Sequence, residues 1–385
     1  MKQILLLLLL AVSINIMAQD EIKLIIGTYT NGSSKGIYTF NFNQQTGESF
    51  PLDTLEVKNP SYLTVSRDGK MIYAVSENSD STAAINAISF NSTTGKMKFI
   101  NSQPTHGEDP CYVETNGNIV LTANYGGGSM SLFPLNIDGS LRPMSQEFKG
   151  TIGGTVSPNQ NMPHIHCTAF TPDRKYVLAS DFSADRILKF KVLGRNEIKE
   201  TGIAGTLKAG SGPRHILFSN DSRFFYVMSE ISGAVTAYLW NSGKPHKIQE
   251  IQSDSVGGHG GADIHFSPDG KFLYTSNRLK QDGISIFRVD KQSGLLTKTG
   301  YQLTGIHPRN FNITPNGKYL LCACRDDNKI QVFRIYQSTG ILEDIHKNIV
   351  VDKPVCVKFY PHMIQARTGN GHSPILKSKK SENGK

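Results

Sequence analysis

Along most of the chain, short apolar runs alternate with polar turns, and the alternation itself repeats. In Gly212–Glu230 a Pro-led apolar run (Ile216, Leu217, Phe218) leads into a polar turn (Asn220, Asp221, Ser222), and a second apolar run (Phe224 to Met228) ends on a charge. Two short β-enriched runs joined by turn residues predict a hairpin. Copies recur at Asn59–Glu77, Asp109–Tyr125, Ile165–Phe182, Gly261–Arg278 and His307–Arg325, and a half copy starts at Pro354. A third run follows the hairpin, as in Ala87–Phe90, Ile187–Phe190, Ile284–Phe287 and Ile330–Phe333, then a polar turn with Gly and a more polar edge run.

The copies start at positions 60, 110, 165, 213, 261, 308 and 354. Steps of about 46 to 55 residues are the period of four-stranded propeller blades, which must stack on one another to bury their faces. Seven starts therefore predict an all-β, seven-bladed β-propeller over residues 22–362. The last copy is cut short after Phe359, and the first does not begin at the N-terminus. One arrangement accounts for both: Lys23–Thr30, Gly36–Phe42 and Phe50–Val57 supply the second to fourth strands of a blade whose first strand comes from Pro354–Phe359. The ring then closes by pairing the chain ends, which removes exposed sheet edges. The turn Asn43–Gly47 matches Asn91–Gly95, Asp290–Gly294 and Tyr336–Gly340 and so fixes the phase of the N-terminal segment. Two Gly-containing inserts, Phe148–Met162 and Asp254–Gly260, each precede a first strand, on one rim.

At 385 residues the chain exceeds a single core, a limit that a ring of small inter-blade cores avoids. Met1–Ala18 has one Lys, an Ile/Leu run and a terminal Ala, the layout of a cleavable export signal; its apolar run is shorter than the ~20 residues a membrane span needs. The expectation is an exported protein, periplasmic or extracellular, with no membrane span in the mature chain. The formal charge of +9 includes Lys2 and the Lys-rich segment from Lys377 onward, which leaves the body near +5. That balance suits a small anionic substrate, and no basic stripe with stacking aromatics points to nucleic acid. Residues 367–385 read as a disordered basic tail. Cys111, Cys167, Cys322, Cys324 and Cys356 are an odd count without CxxC spacing, each within an apolar run, and read as buried free thiols. There is no P-loop or GxGxxG, and Tyr125–Ser129 reads as a close-packed turn.

Counting each repeat from its Pro-equivalent as zero, position one holds Ser61, Cys111, His166, Arg214, Ala262 and Arg309. Position seventeen holds Glu77, Phe182, Glu230, Arg278 and Arg325, and Tyr125 takes the same place in a repeat whose hairpin is two residues shorter. Both positions lie at the hairpin end away from the turn, roughly opposite each other. Because first strands line the central channel of a propeller, the charged members are expected to ring one mouth of it. Several Arg beside one His and one Glu suit an anion clamp with an acid/base pair; Arg214 with Glu230 also suits a cross-strand ion pair. His164 and His166 share a strand face and either fits the register, but spacing fixes no third ligand, so no metal is expected. His259 lies in a Gly-rich insert near the same mouth. Asp263 and His265 fall on the opposite strand face, where hydrogen bonds between blades are expected.

The motifs Gly212-Pro-Arg-His215, Ser229-Glu230, Ala262–Gly270 with Ser276-Asn-Arg278, and His307-Pro-Arg309 resemble those of the β-propeller lactonases typified by bacterial 6-phosphogluconolactonase. That family is similar in fold to fungal carboxymuconate-lactonizing enzymes. The resemblance implies hydrolysis of a sugar-acid lactone, such as 6-phosphoglucono-1,5-lactone, with no cofactor. It implies His166, Arg214, Glu230 and Arg278 as the catalytic set; from their places in the repeats, Arg309, Arg325 and Glu77 are expected to shape the mouth, with His164 and His259 as further substrate-binding candidates. Export does not match a cytosolic phosphorylated sugar, so a related aldonolactone stays open. A non-catalytic exported propeller that binds carbohydrate or protein, and a muconate-type lactonizing isomerase, are the alternatives. The expected partner is a small anionic lactone, and the expected state a monomer or weak oligomer.

Overall fold

The apolar runs pair as antiparallel hairpins, and what surrounds each strand explains its sequence. In the fourth repeat the strands are Pro213–Phe218, Phe224–Ser229, Ala234–Asn241 and Lys244–Gln252. Phe224–Ser229 is buried at every residue because both of its faces meet neighbouring blades, whereas Lys244–Gln252 is mostly exposed or half-buried at the rim. A computed structural model describes residues 20–360 except 152 and 242. The expected export signal at 1–18, the tail at 367–385 and residues 361 and 362 lie outside the described residues.

Seven such sheets form the ring. We number the blades by their first strands: Leu63–Val65, Pro110–Thr115, Ile165–Phe170, Pro213–Phe218, Gly261–Phe266, Pro308–Ile313 and Pro354–Tyr360. Blade 7 is the composite expected from the chain ends, with Pro354–Tyr360 paired to Glu21–Thr28, followed by Gly36–Asn43 and Ser49–Glu56. The outer edge of blade 6 is split into Leu342–Asp344 and Ile349–Val350. The apolar clusters sit between blades. Phe224, Tyr226 and Met228 of blade 4 pack with Phe266, Leu273 and Phe287 of blade 5. Phe42 of blade 7 meets Tyr319 of blade 6 edge-on at 5.9 Å.

A repeated hydrogen bond sets the angle between blades. Tyr226 Oη donates to the Gly294 carbonyl at 2.8 Å, and Tyr274 Oη to the Gly340 carbonyl at 2.9 Å, each reaching the outer turn of the next blade. Both glycines have left-handed φ, and a Cβ at Gly294 would meet Phe224 at 2.5 Å. The turn glycines that mark the sequence repeat are therefore contact points between blades as well as bends. All five cysteines are buried and free.

Candidate active site

The inner end of each hairpin is built the same way in all seven blades. The residue at position seventeen donates its backbone N–H to the carbonyl just before position zero: Glu230 to Gly212 at 2.7 Å, Arg278 to Gly260 at 3.0 Å, Phe182 to His164 at 2.9 Å. In six blades position zero pairs with the residue just before position seventeen, as Pro213 with Ser229, and the register then slips. Position one therefore sits in a bulge rather than directly opposite position seventeen, and a bulge releases its side chain from the alternation of the pleat. In blade 7 the same bond runs from Tyr29 N to the Lys353 carbonyl at 3.0 Å. Tyr29 is thus the seventh position-seventeen residue, a place hidden in the sequence because its first strand lies at the other end of the chain.

This frame brings His166, Arg214, Glu230 and Arg278 together. Glu230 Oε2 accepts from Arg214 Nε at 2.8 Å, lies 3.1 Å from Arg278 Nη2 and is 4.0 Å from His166 Nε2. Backbone carbonyls fix the guanidiniums further: Arg214 Nη1 donates to Ala262 O at 2.8 Å and Arg278 Nε to Gly260 O at 2.9 Å. Arg214 and Arg278 are almost wholly buried, while the Glu230 side chain keeps 21% of its surface, so the carboxylate faces the open mouth. Burial alone would raise the Glu230 pKa, but Arg278, Arg214 and Arg309 outweigh it and hold the carboxyl below its ordinary 4.5. Burial, with Arg214, His215 and Arg309, pushes His166 well below 6.5, so its imidazole is neutral at pH 7. Burial lowers Arg278 to about 10, still protonated.

Glu77 and Arg309 stand at the same mouth. Arg309 Nη2 is 3.5 Å from Glu77 Oε1, which also accepts from Tyr29 Oη at 2.7 Å, and Ser61 Oγ donates to the other carboxylate oxygen. The Arg309 guanidinium lies over the Tyr29 ring at 5.5 Å. Blades 6 and 1 are separated by blade 7, so this pair reaches past the intervening blade. The three guanidiniums of Arg214, Arg278 and Arg309 face two carboxylates and a neutral imidazole, leaving one positive charge over.

The remaining expected residues are placed differently. His164 stacks on Tyr125 at 4.0 Å with Nδ1 2.7 Å from the Tyr125 carbonyl, which leaves His166 as the histidine beside Glu230. Arg325 does not join the cluster: it heads the 3-10 turn Arg325–Asp327, which sets Asp326 beside it, and both nitrogens bond that carboxylate at 2.8 Å. It lines an outer groove of about 530 Å³ with His307, Leu279, Leu303 and Ile306. His259 Nδ1 lies 2.7 Å from the Ile231 carbonyl, tying its insert to blade 4. Among the described residues no group of three or more His, Cys, Asp or Glu is arranged to hold a metal.

The next residue along each first strand fills the axis. Tyr62 of blade 1 and Tyr112 of blade 2 stack at 4.3 Å, and His215 of blade 4 meets both edge-on. Blades 1 and 4 are not neighbours, so they touch only where the axis is filled. Asp263 binds across three blades: His215 Nδ1 at 2.7 Å, His265 Nε2 at 3.0 Å and the Asn310 amide. These axial contacts depend on how far each blade is rotated, which residue spacing does not encode.

Near this plug, burial raises Glu114 to about 7, against opposing effects from the Phe170 N–H, Lys358 and Arg174. Its folded value exceeds its unfolded 4.5, so the stability associated with the protonated form is present below pH 4.5 and is lost as pH rises through 7. Glu114→Gln, which can still accept from Phe170 N–H, is expected to be near neutral at pH 5 and to stabilise by on the order of 1 kcal/mol at pH 8. Urea unfolding at the two pH values checks this; equal midpoint shifts at both would contradict it.

Residues 23–359 match the family described as lactonase, seven-bladed β-propeller. A 6-phosphogluconolactonase of Formosa agariphila is 35% identical over 85% of this chain and 96% of its own length. That of Bacillus subtilis is 33% identical over 87% and 97%. A solved Bacteroides uniformis structure, proposed to be a 6-phosphogluconolactonase, is 56% identical with TM-score 0.87, covering 88% of this chain and 99% of that one. The periplasmic gluconolactonase of Pseudomonas aeruginosa is 29% identical with TM-score 0.83, covering 88% and 99%.

Proposed function

The chain belongs to the seven-bladed β-propeller lactonase family, and from that premise we propose that it hydrolyses a sugar-acid lactone at the mouth built by His166, Arg214, Glu230 and Arg278. The observation that carries this reading is the Glu230 carboxylate, held by two buried guanidiniums from adjacent blades and set 4.0 Å from a neutral imidazole. A binding scaffold would cancel its charges in pairs. Here one positive charge remains, facing the place where a negative charge develops when water adds to a lactone carbonyl.

In this mechanism His166 accepts a proton as the water oxygen bonds to the carbonyl carbon. Glu230 then lies beside an imidazolium rather than an imidazole and stabilises it, which compensates for the low basicity of the free ring. The guanidiniums of Arg278 and Arg309 neutralise the tetrahedral oxyanion. As the ring C–O bond breaks, His166 returns its proton to the departing oxygen, giving the hydroxy acid. Every group comes from one chain, so a monomer suffices.

We further propose that Met1–Ala18 exports the protein and that its lactone is unphosphorylated. A single surplus positive charge matches the oxyanion alone, and a phosphate dianion would need cations of its own. The similarity to a periplasmic gluconolactonase supports the same choice. A panel of aldonolactones with and without a 6-phosphate, followed by acid release, is expected to give kcat/KM for glucono-1,5-lactone at least equal to that for its phosphate. A preference of about tenfold or more for the phosphorylated lactone, which corresponds to about 1.4 kcal/mol, would overturn it.

A further inference from the structure

We infer that His215 is a positioning residue for Arg214, locked in one tautomer by Asp263, so that an Asp263–His215–Arg214 chain sets where the guanidinium holds the Glu230 carboxylate; this rests on the reading of the site given above. His215 Nε2 lies 3.0 Å from Arg214 Nη1, and His215 Nδ1 lies 2.7 Å from Asp263 Oδ1. A guanidinium only donates and an ionised carboxylate only accepts. The imidazole between them must carry its proton on Nδ1 and present a bare Nε2 to Arg214.

The surroundings keep both partners in these forms. Asp263 also accepts from Ile264 N at 2.9 Å and Phe311 N at 3.3 Å, besides His265 and Asn310. Burial alone would raise its pKa, but the neighbouring histidines hold it well below 3.8. His215 is faced by Arg214, Asp263, His166, Tyr62, Tyr112 and, further off, Lys358. Burial and then Arg214 lower it to about 4, so it is neutral at pH 7.

Packing does not demand this pair. The same position in the other blades holds Tyr62, Tyr112, Cys167, Asn310 and Cys356, none of them charged at pH 7. The His and Asp occur in blades 4 and 5, and blade 4 is the one that carries Arg214. Asp263 additionally grips Asn310 and Phe311, the two residues after Arg309, so one carboxylate registers two of the three guanidiniums at the mouth.

The test compares His215→Asn, His215→Gln, Asp263→Asn and Arg214→Ala in lactone hydrolysis. His215→Asn keeps a group toward Asp263 but removes the acceptor for Arg214, and is expected to lower kcat about 10- to 100-fold, the usual range for a partner that orients a reacting group. His215→Gln returns an acceptor near Nε2 and is expected to recover about tenfold of that loss, which a purely structural role would not produce. Asp263→Asn, which favours the opposite tautomer, is expected to match His215→Asn. Loss in Arg214→Ala with wild-type kcat in His215→Asn would overturn the positioning role alone; wild-type kcat in Arg214→Ala would overturn the site reading instead. Should these variants not fold, ¹⁵N imidazole shifts of the wild-type protein at pH 7 decide: a proton on Nδ1 of His215 is expected, and a proton on Nε2 overturns the inference.

Discussion

Glu230→Gln is expected to lower kcat/KM for lactone hydrolysis by about 10²- to 10⁴-fold, because proton transfer at His166 loses the carboxylate that stabilises its imidazolium. The neutral amide can still accept from one guanidinium, so the geometry changes little and the electrostatics change greatly. Arg214, Arg278 and Arg309 would then face a neutral imidazole with no nearby anion except Glu77, and any imidazolium at His166 would lose the carboxylate 4.0 Å away. The variant is also expected to lose about 2–3 kcal/mol of stability, less than the 3–5 kcal/mol for a wholly buried pair because the carboxylate retains some solvent contact. In the wild type, Glu230 and His166 are both held below their ordinary values, so kcat/KM should show no fall through pH 6.5, where a free imidazole would protonate, and should decline only in more acidic solution. Acid-release assays of wild type and variant, with near-ultraviolet circular dichroism to confirm folding, check both points. A folded Glu230→Gln protein with wild-type turnover would remove the carboxylate from the chemistry.

How much of this was legible in the sequence depends on which interactions are local. The hairpins, their period and the composite blade follow from apolar runs and turn residues that each blade needs by itself. Position seventeen was legible because it abuts a strand end whose place the repeat fixes. The bulge at position one was not, because counting residues gives spacing but not pairing, and the register slips after Pro213. Arg325 satisfies the count yet turns away, since Asp326 in the next place captures its guanidinium. His215 meets Tyr62 and Tyr112 of blades distant in sequence, and Asp263 reaches it from the next blade, contacts that counting along one repeat does not pair. Tyr29 could have been found by continuing the count through the chain ends, because Thr28–Tyr29 stands to Lys353–Pro354 as Ser229–Glu230 stands to Gly212–Pro213.

Ending the chain at Lys353 is expected to abolish cooperative folding. The strand Pro354–Tyr360 pairs with Glu21–Thr28 through Leu24 with Phe359 and Ile26 with Val357. Without it, Leu24, Ile25 and Ile26, all fully buried, would form an open apolar edge of the kind that templates aggregation. The truncation also removes the buried side chains of Val355, Cys356, Val357 and Phe359. At about 1.5–3 kcal/mol for a buried apolar side chain, their loss is comparable to the whole of a typical 5–15 kcal/mol net stability. The strand ties three blades: Val357 N bonds Asn310 Oδ1 at 2.6 Å in blade 6, and Lys358 Nζ bonds Tyr62 Oη at 3.1 Å in blade 1. The site should fail with it, because Thr28, the residue before Tyr29, would lose its partner Pro354 and with it the frame that presents Tyr29 to Glu77. A circularly permuted chain separates loss of pairing from loss of residues. Joining Tyr360 to Glu21 by a short turn and opening the exposed turn at Gly194 makes blade 7 a continuous hairpin, as in the other six. That protein is expected to fold and hydrolyse lactones, whereas a Lys353-terminated chain that unfolds in urea at the wild-type midpoint would show that the ring does not need its clasp.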